Sequence, residues 1–302
     1  MKNEIISNEF SALYPFESNY LDINRLRYHY LDEGIGEPLL MLHGNPTWSF
    51  YFRRLVIAFR ERYRVIVPDH IGCGLSDKPD ESRYDFRLKS RVDDLNALIT
   101  HLNPAQPITL IVHDWGGMIG LAWAMENLKR IGRLVIMNTS GFFPPDGKAI
   151  PLRLRLLRTP NPIMDWAVLH LNLFAAAAIH MAPRQRLPAS VRAGLLAPYL
   201  NPRNRMATLK FVQDIPLGPN DPSGPIVAAV DRNLERIADR PAQFIWGAHD
   251  FVFNRNYYDE WRRRVPHAQA HWLEDAGHYL LEDAPETIIE LIQGFMYKNP
   301  VG

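Results

Sequence analysis

The sequence has few of the features that cross-link a small protein or anchor one in a membrane. Its 302 residues include a single cysteine, Cys73, so no disulfide can form within the chain. The first ten residues carry Glu4 and Glu9 and no apolar run, which is not the pattern of a secretory signal peptide. The most apolar stretch, residues 163–181, is interrupted by polar side chains and is predicted to be a buried helix rather than a membrane span. Together these features predict a cytoplasmic protein.

The chain also lacks an excess of charge of either sign. Lys plus Arg number 34 and Asp plus Glu number 33, which gives a formal net charge of +1. This balance argues against a protein that binds nucleic acid through its phosphates. Hydrophobic residues make up 47% of the sequence, and a chain of this length can bury about three quarters of its unfolded surface. The composition therefore predicts a globular protein with a large core and no nucleic-acid partner.

Short apolar runs recur along the chain and end at polar or glycine residues. Runs that are apolar on both faces are typical of parallel strands covered by helices. The runs are residues 38–42, 64–67, 108–112, 133–137, 243–246 and 270–273. Residues 86–102, 115–128 and 284–297 have helical spacing, and residues 20–31 have the pattern of a hairpin around Asn24. This alternation predicts an α/β fold with a mostly parallel, doubly wound sheet.

Residues 141–224 break the alternation. They show no clear strand pattern and consist of several predicted short helices separated by prolines, so we interpret them as an all-helical cap inserted into a core of residues 1–140 and 225–302. The cap carries ten basic residues and four acidic ones. Such an excess is usually a solvated helical face; the alternative is contact with an anionic membrane or an acidic partner enzyme. The sequence leaves open whether the chain forms a homo-oligomer.

Four polar motifs follow predicted strands, at the edge where open parallel sheets place their sites. They are HGNPTW at 43–48, VHDWGG at 112–117, WGAHD at 246–250 and DAGH at 275–278. The second motif has the layout of a nucleophile elbow, with Asp114 where serine usually stands. Asp114, Asp250 and His278 occur in the chain order nucleophile, acid, histidine that is typical of this architecture. The motifs therefore predict a catalytic triad with an aspartate nucleophile.

These motifs resemble those of the haloalkane dehalogenases and their relatives, the branch of the α/β-hydrolase superfamily that uses an aspartate nucleophile. The resemblance covers nearly the whole chain. The segments HGNPTWSFYFR at 43–53 and DHIGCGLSDKP at 69–79 are most similar to the β-lactone decarboxylases of bacterial olefin biosynthesis. The resemblance implies decarboxylation of a long-chain cis-3,4-dialkyl β-lactone to an alkene and carbon dioxide. Hydrolysis of haloalkanes is the alternative activity that the same motifs serve.

The residue types suit this chemistry. A carboxylate needs no general base to become a nucleophile, so Asp114 can attack an electrophilic carbon of a small apolar substrate directly. His278 would then activate water on the covalent intermediate or assist its collapse, and Asp250 would orient His278 and stabilise its charged form. Asn45 and Trp115 offer side-chain and backbone N–H groups that would hold the leaving anion or oxyanion. No step of this chemistry calls for a cofactor or a metal.

Each candidate residue also has a simpler structural interpretation. Asp114 can cap the helix that follows it, Trp115 can be a core aromatic, and Asn45 can serve only the turn with Pro46. Asp275 is a rival to Asp250 as the acid. The second place for the acid in this branch is occupied by Asn138, whose amide cannot take the charge, and this favours Asp250.

Three other functions are weaker interpretations of the sequence. A zinc site would use the i, i+4 pair His267 and His271, but these lie on a predicted strand rather than a helix. Epoxide hydrolysis in this superfamily needs a pair of cap tyrosines, and only Tyr199 occurs between residues 141 and 240. A non-enzymatic receptor built on this fold would not need an intact nucleophile, base and acid.

Overall fold

The computed structural model describes residues 5–145 and 150–301 of the chain. Its strands are β1 Asn19–Ile23, β2 Leu26–Glu33, β3 Glu37–Leu42, β4 Tyr63–Pro68, β5 Ile108–His113, β6 Ile131–Met137, β7 Ala242–Gly247 and β8 Gln269–Leu273. They form one sheet in the order β1-β2-β4-β3-β5-β6-β7-β8. β2 pairs antiparallel with β1 and β4, and all later neighbours pair in parallel. The predicted α/β fold with a mostly parallel sheet is confirmed.

Helices cover both faces of the sheet. The described α-helices are α1 Arg53–Phe59, α2 Leu88–Leu102, α3 Trp115–Glu126, α4 Leu152–Arg158, α5 Pro162–Leu171, α6 Leu173–Met181, α7 Ala189–Leu196, α8 Met206–Gln213, α9 Gly224–Asn233, α10 Glu235–Ala238, α11 Arg255–Arg264, α12 Leu280–Asp283 and α13 Pro285–Lys298. Short 3-10 helices lie at Ser11–Leu13, Ser49–Phe52, Leu128–Arg130, Ala197–Tyr199 and Pro202–Asn204.

Alternate residues of the central strands pack into two different layers. In β3, Leu40 and Leu42 belong to the cluster formed with α2, α3 and α11. Leu39 and Met41 belong to the opposite cluster, formed with α1 and α13. Successive side chains of a strand point to opposite faces, so both layers must be apolar, and this is why the strands appear as continuous apolar runs in the sequence.

Of the helices between β6 and β7, α4, α5, α6 and α8 line a cavity that Asp114 also lines, whereas α9 and α10 pack on the core cluster with α3. The described residues between Met137 and Ala242 contain helices and turns but no strand. The prediction of a single buried helix over residues 163–181 is wrong. Asn172 adopts a left-handed conformation (φ 56°) that ends α5, and α6 leaves at 73° to it. Several apolar side chains of the pair are solvent-exposed, among them Ile163 at 78%.

No single helix within residues 5–145 and 150–301 is both long and apolar enough to cross a membrane. Taken together, α5 and α6 have the length and composition for it, but the bend at Asn172 separates them.

Candidate active site

The site begins at a sharp turn between β5 and α3, where Asp114 sits with a positive φ of 51°. That backbone conformation is costly for a residue with a Cβ, and it lifts the side chain out of the end of the sheet. The turn is tight enough that a Cβ on Gly116 would overlap the carbonyl oxygen of Leu42. A Cβ on Gly44 would overlap the Asp114 carboxylate itself. The glycines that flank Asp114 in space are therefore required by close approach.

The carboxylate of Asp114 is held from two sides. Its Oδ1 accepts a hydrogen bond from the backbone N–H of Asn45 at 2.7 Å, and its Oδ2 lies 3.6 Å from Nε2 of His278. The side chain makes no capping hydrogen bond to α3, so Asp114 is not simply a helix cap. Burial raises the pKa of Asp114, while His278 and the amides of Asn45 and Trp115 oppose that rise.

His278 is bonded on its other side to Asp250. Its Nδ1–H donates to Oδ2 of Asp250 at 2.7 Å, and both side chains are buried. The other oxygen of Asp250 accepts the backbone N–H groups of Val252 at 2.6 Å and Phe253 at 3.0 Å. Four donors including Asn138 thus fix the Asp250 carboxylate, which leaves Nε2 of His278 facing Asp114. Asp275, the rival acid, is exposed at the end of β8.

The sequence did not reveal that Asn138 positions the acid of the triad; it showed only that an amide at this place cannot itself be the acid. Its Nδ2–H donates to Oδ2 of Asp250 at 2.8 Å, and its Oδ1 accepts the backbone N–H of Gly247 at 2.7 Å. It therefore positions the acid from the end of the neighbouring strand. No local signal marks such a contact, since the two residues lie more than a hundred positions apart.

The electrostatics of the imidazole favour its protonated form. Burial alone would lower the pKa of His278, but the carboxylates of Asp250 and Asp114 outweigh it and the pKa is raised above its ordinary value. The neighbouring His113 differs, because its burial and the proximity of His278 hold its pKa well below the ordinary value. Neutral His113 donates from Nε2 to the backbone carbonyl of His278 at 2.9 Å and so anchors the loop that carries it.

The two predicted anion-holding residues both line the cavity above Asp114 but differ in how free they are. The indole N–H of Trp115 donates to no other residue in the described part of the chain. The side-chain amide of Asn45 donates one N–H to the backbone carbonyl of Thr208 in α8 at 2.9 Å. A primary amide has two donor hydrogens, so one remains for a ligand. Trp115 is also packed against Phe211, at 5.2 Å between ring centroids.

The carboxylate opens into a cavity of about 330 Å³ between core and cap. The cap contributes mainly aliphatic and aromatic walls, among them Leu154, Leu157, Phe174, Val212 and Ile215. Polar side chains that line it are few and include Asp114 and His278. The cavity suits an apolar substrate presented to Asp114 and His278.

The remaining candidates of the sequence lie outside this cavity. Tyr199 is fully buried and does not line it, whereas Tyr257 and Tyr279, outside the predicted cap, do. Burial raises the pKa of the Cys73 thiol to about 11, which does not favour a nucleophilic thiolate. His271 contacts Gln243 in the sheet. Within the described residues, no group of three or more His, Cys, Asp or Glu side chains could hold a metal ion.

Comparisons with known proteins identify the family to which this fold belongs. The α/β-hydrolase fold model matches residues 37–285. A cis-3-alkyl-4-alkyloxetan-2-one decarboxylase from Shewanella oneidensis is 46% identical, over 94% of this chain and 90% of that protein. A haloalkane dehalogenase from Mycobacterium bovis is 33% identical, over 93% of this chain and 95% of that protein. The crystal structure of a haloalkane dehalogenase from Bradyrhizobium elkani has a TM-score of 0.81 at 25% identity, over 94% and 98% of the two chains.

Proposed function

The chain belongs to the α/β-hydrolase fold family and is an enzyme of that fold, and we propose that it decarboxylates a long-chain cis-3,4-dialkyl β-lactone to an alkene and carbon dioxide. The observation that carries this proposal is a buried carboxylate, Asp114, at the floor of an apolar cavity with His278 3.6 Å away. The 46% identity to a protein named for β-lactone decarboxylation supports that substrate over a haloalkane.

In the first step, Oδ2 of Asp114 attacks C4 of the lactone ring. Oδ1 accepts the backbone N–H of Asn45, whereas Oδ2 lies 3.6 Å from Nε2 of His278, so we assign the attack to Oδ2. The C4–O bond of the ring breaks, and the ring oxygen becomes part of a carboxylate on C3. The C4–O bond must break to give an alkene, so attack at C4 is the direct route. The indole N–H of Trp115 and the side-chain amide of Asn45 would hold the new carboxylate.

In the second step, the carboxylate on C3 leaves as carbon dioxide. Its electron pair forms the C3=C4 double bond, and the bond between C4 and Oδ2 breaks and returns its electrons to Asp114. No water, proton or co-reactant is consumed. A protonated His278, which its raised pKa favours, stabilises the carboxylate of Asp114 as it is restored. Asp250 and Asn138 hold His278 in that form and orientation.

The alternative activity uses the same residues differently. A haloalkane would also form an ester on Asp114, but its release requires water activated by a neutral His278. The fate of the ester therefore separates the two functions, rather than its formation.

A product assay on the purified protein tests the proposal. A long-chain cis-β-lactone and, separately, a bromoalkane of the same chain length are supplied, and alkene and bromide are measured. Alkene from the lactone with little bromide release is the expected result. Asp114→Asn provides the matched control, which should form neither product. Fast bromide release with intact lactone would overturn the decarboxylase proposal in favour of the dehalogenase.

A further inference from the structure

The outer side of the cap carries an exposed apolar surface that the catalytic site does not explain. Helices α4, α5 and α6 contact one another and present seven large apolar side chains to solvent. We call them the apolar cap surface: Leu152, Leu156, Ile163, Trp166, Leu171, Leu173 and Met181. Single exposed apolar residues are ordinary, but seven of them on three helices, of which α5 contacts both α4 and α6, point to an interaction surface.

The charges around this surface are mostly positive. Residues 150–190 contain five arginines and one acid, Asp165, which accepts a hydrogen bond from Gln213. Arg153 and Arg155 alternate with the leucines of α4, and both are exposed. Neither lies within ion-pair distance of a carboxylate belonging to the described residues. The Arg153 guanidinium packs over the ring of Phe251 at 4.0 Å, whereas Arg155 has no such contact in the described residues. Aliphatic side chains and a half-exposed tryptophan beside arginines that lack an acidic partner are typical of helices that lie in the interface of an anionic bilayer.

The surface also coincides with the mouth of the cavity. Leu156, Leu173 and Met181 line the cavity and are nonetheless 54%, 40% and 40% exposed, so the cavity meets solvent where they lie. A protein seated here would cover that opening. A bilayer surface would instead place the opening against the phase in which a long-chain apolar molecule resides.

We propose that the apolar cap surface docks on anionic lipid bilayers and admits the substrate from the bilayer to the cavity. The apolar side chains insert at the level of the headgroups, and Arg153 and Arg155 contact anionic lipids. Vesicle docking requires no lactone, whereas delivery of an apolar substrate rests on the proposed function.

The docking experiment uses the full chain and sucrose-loaded vesicles, either of phosphatidylcholine alone or of phosphatidylcholine with phosphatidylglycerol. Leu152→Ser with Ile163→Ser changes two exposed side chains that do not line the cavity. Ile35→Ser is the matched control, since Ile35 is 87% exposed on the turn before β3. We expect co-sedimentation of the wild type with the anionic vesicles, at least a tenfold loss for the double variant, and no loss for the control.

Charge is tested with a second pair of variants. Arg155→Gln should lower the partition coefficient on anionic vesicles about fivefold, the contribution of one basic residue near such a surface. The matched control, Lys129→Gln, removes an exposed cation of the core and should have no effect. Equal losses in both variants, or no co-sedimentation of the wild type, would overturn the proposal. A cap variant that dissociates an oligomer while vesicles remain unbound would identify a protein interface instead.

Delivery is tested by comparing two lactones. With a short-chain lactone dispersed in buffer, the double variant should turn over as fast as the wild type. With a long-chain lactone embedded in anionic vesicles, its rate should fall about as much as its vesicle binding. Equal rates on the embedded lactone would refute delivery through this surface. Absence of alkene from every lactone, with vesicle binding intact, would instead refute the proposed function alone.

Discussion

Replacing Asp250 with asparagine is expected to reverse the hydrogen bond that sets the His278 ring. One oxygen of Asp250 accepts two backbone N–H groups, so the asparagine carbonyl oxygen will take that place. Its NH₂ group must then stand where Oδ2 now accepts from His278 at 2.7 Å and from Asn138 at 2.8 Å. Nδ1 of His278 becomes an acceptor, and the ring loses both its charged form and its orientation toward Asp114.

Two magnitudes follow from this geometry. Loss of charge and of the correct tautomer at the third position of a triad lowers turnover by about 10⁴-fold. The donor of Asn138 is left facing another donor in a buried site, which costs about 1–3 kcal/mol of unfolding free energy. Alkene formation from the lactone and urea unfolding of the same preparations measure the two effects separately.

A second substitution checks the reason for both losses. Asn138→Asp in the Asp250→Asn background gives the asparagine NH₂ an acceptor, so the double variant should regain most of the lost unfolding free energy. Turnover should recover only in part, because the negative charge now lies on residue 138, which contacts residue 250 and not His278 itself. If Asp250→Asn turns over within tenfold of the wild type, or if the double variant is no more stable than the single one, Asp250 does not set the His278 ring in this way.

Three further predictions concern Asp114, His278 and Asp69. Burial raises the pKa of Asp114, so its ionised form costs stability at neutral pH, and Asp114→Asn should abolish product formation without lowering the unfolding free energy. A pH–rate profile should show the decarboxylation rate falling at both ends. In acid, Asp114 gains a proton at a pH above its ordinary pKa, and in base, His278 loses its proton at a pH above the ordinary pKa of histidine. The Asp69 carboxylate is buried and lies 2.8 Å from Nδ1 of His29. Asp69→Ala should therefore lower the free energy of unfolding, measured in urea, by about 3–5 kcal/mol.

The fold was predictable because its signals are local. Strands β3, β5, β6 and β7 are buried on both faces and are therefore short apolar runs, and the chain order of Asp114, Asp250 and His278 follows from the topology that joins them. Asp114 needs a tight turn, and glycines at 116 and 117 mark it in the sequence.

What sequence reasoning missed depends on contacts between distant residues. Asn138 bonds Asp250 across 112 positions, and Asn45 bonds Thr208 across 163, so neither contact leaves a local pattern. The apolar stretch at 163–181 gave a wrong prediction although its pattern is local. Its composition is that of a buried helix, but one left-handed residue, Asn172, breaks it and turns part of it to solvent.

Isotope labelling of Asp114 distinguishes collapse of its ester from hydrolysis of that ester. The enzyme is allowed to turn over the lactone in H₂¹⁸O, and the peptide that contains Asp114 is weighed by mass spectrometry. We expect unlabelled Asp114 after alkene formation, because the bond between C4 and Oδ2 breaks and no water attacks the ester. Incorporation of ¹⁸O into Asp114 during alkene formation, or undiminished alkene formation by Asp114→Asn, would contradict collapse of an Asp114 ester to alkene.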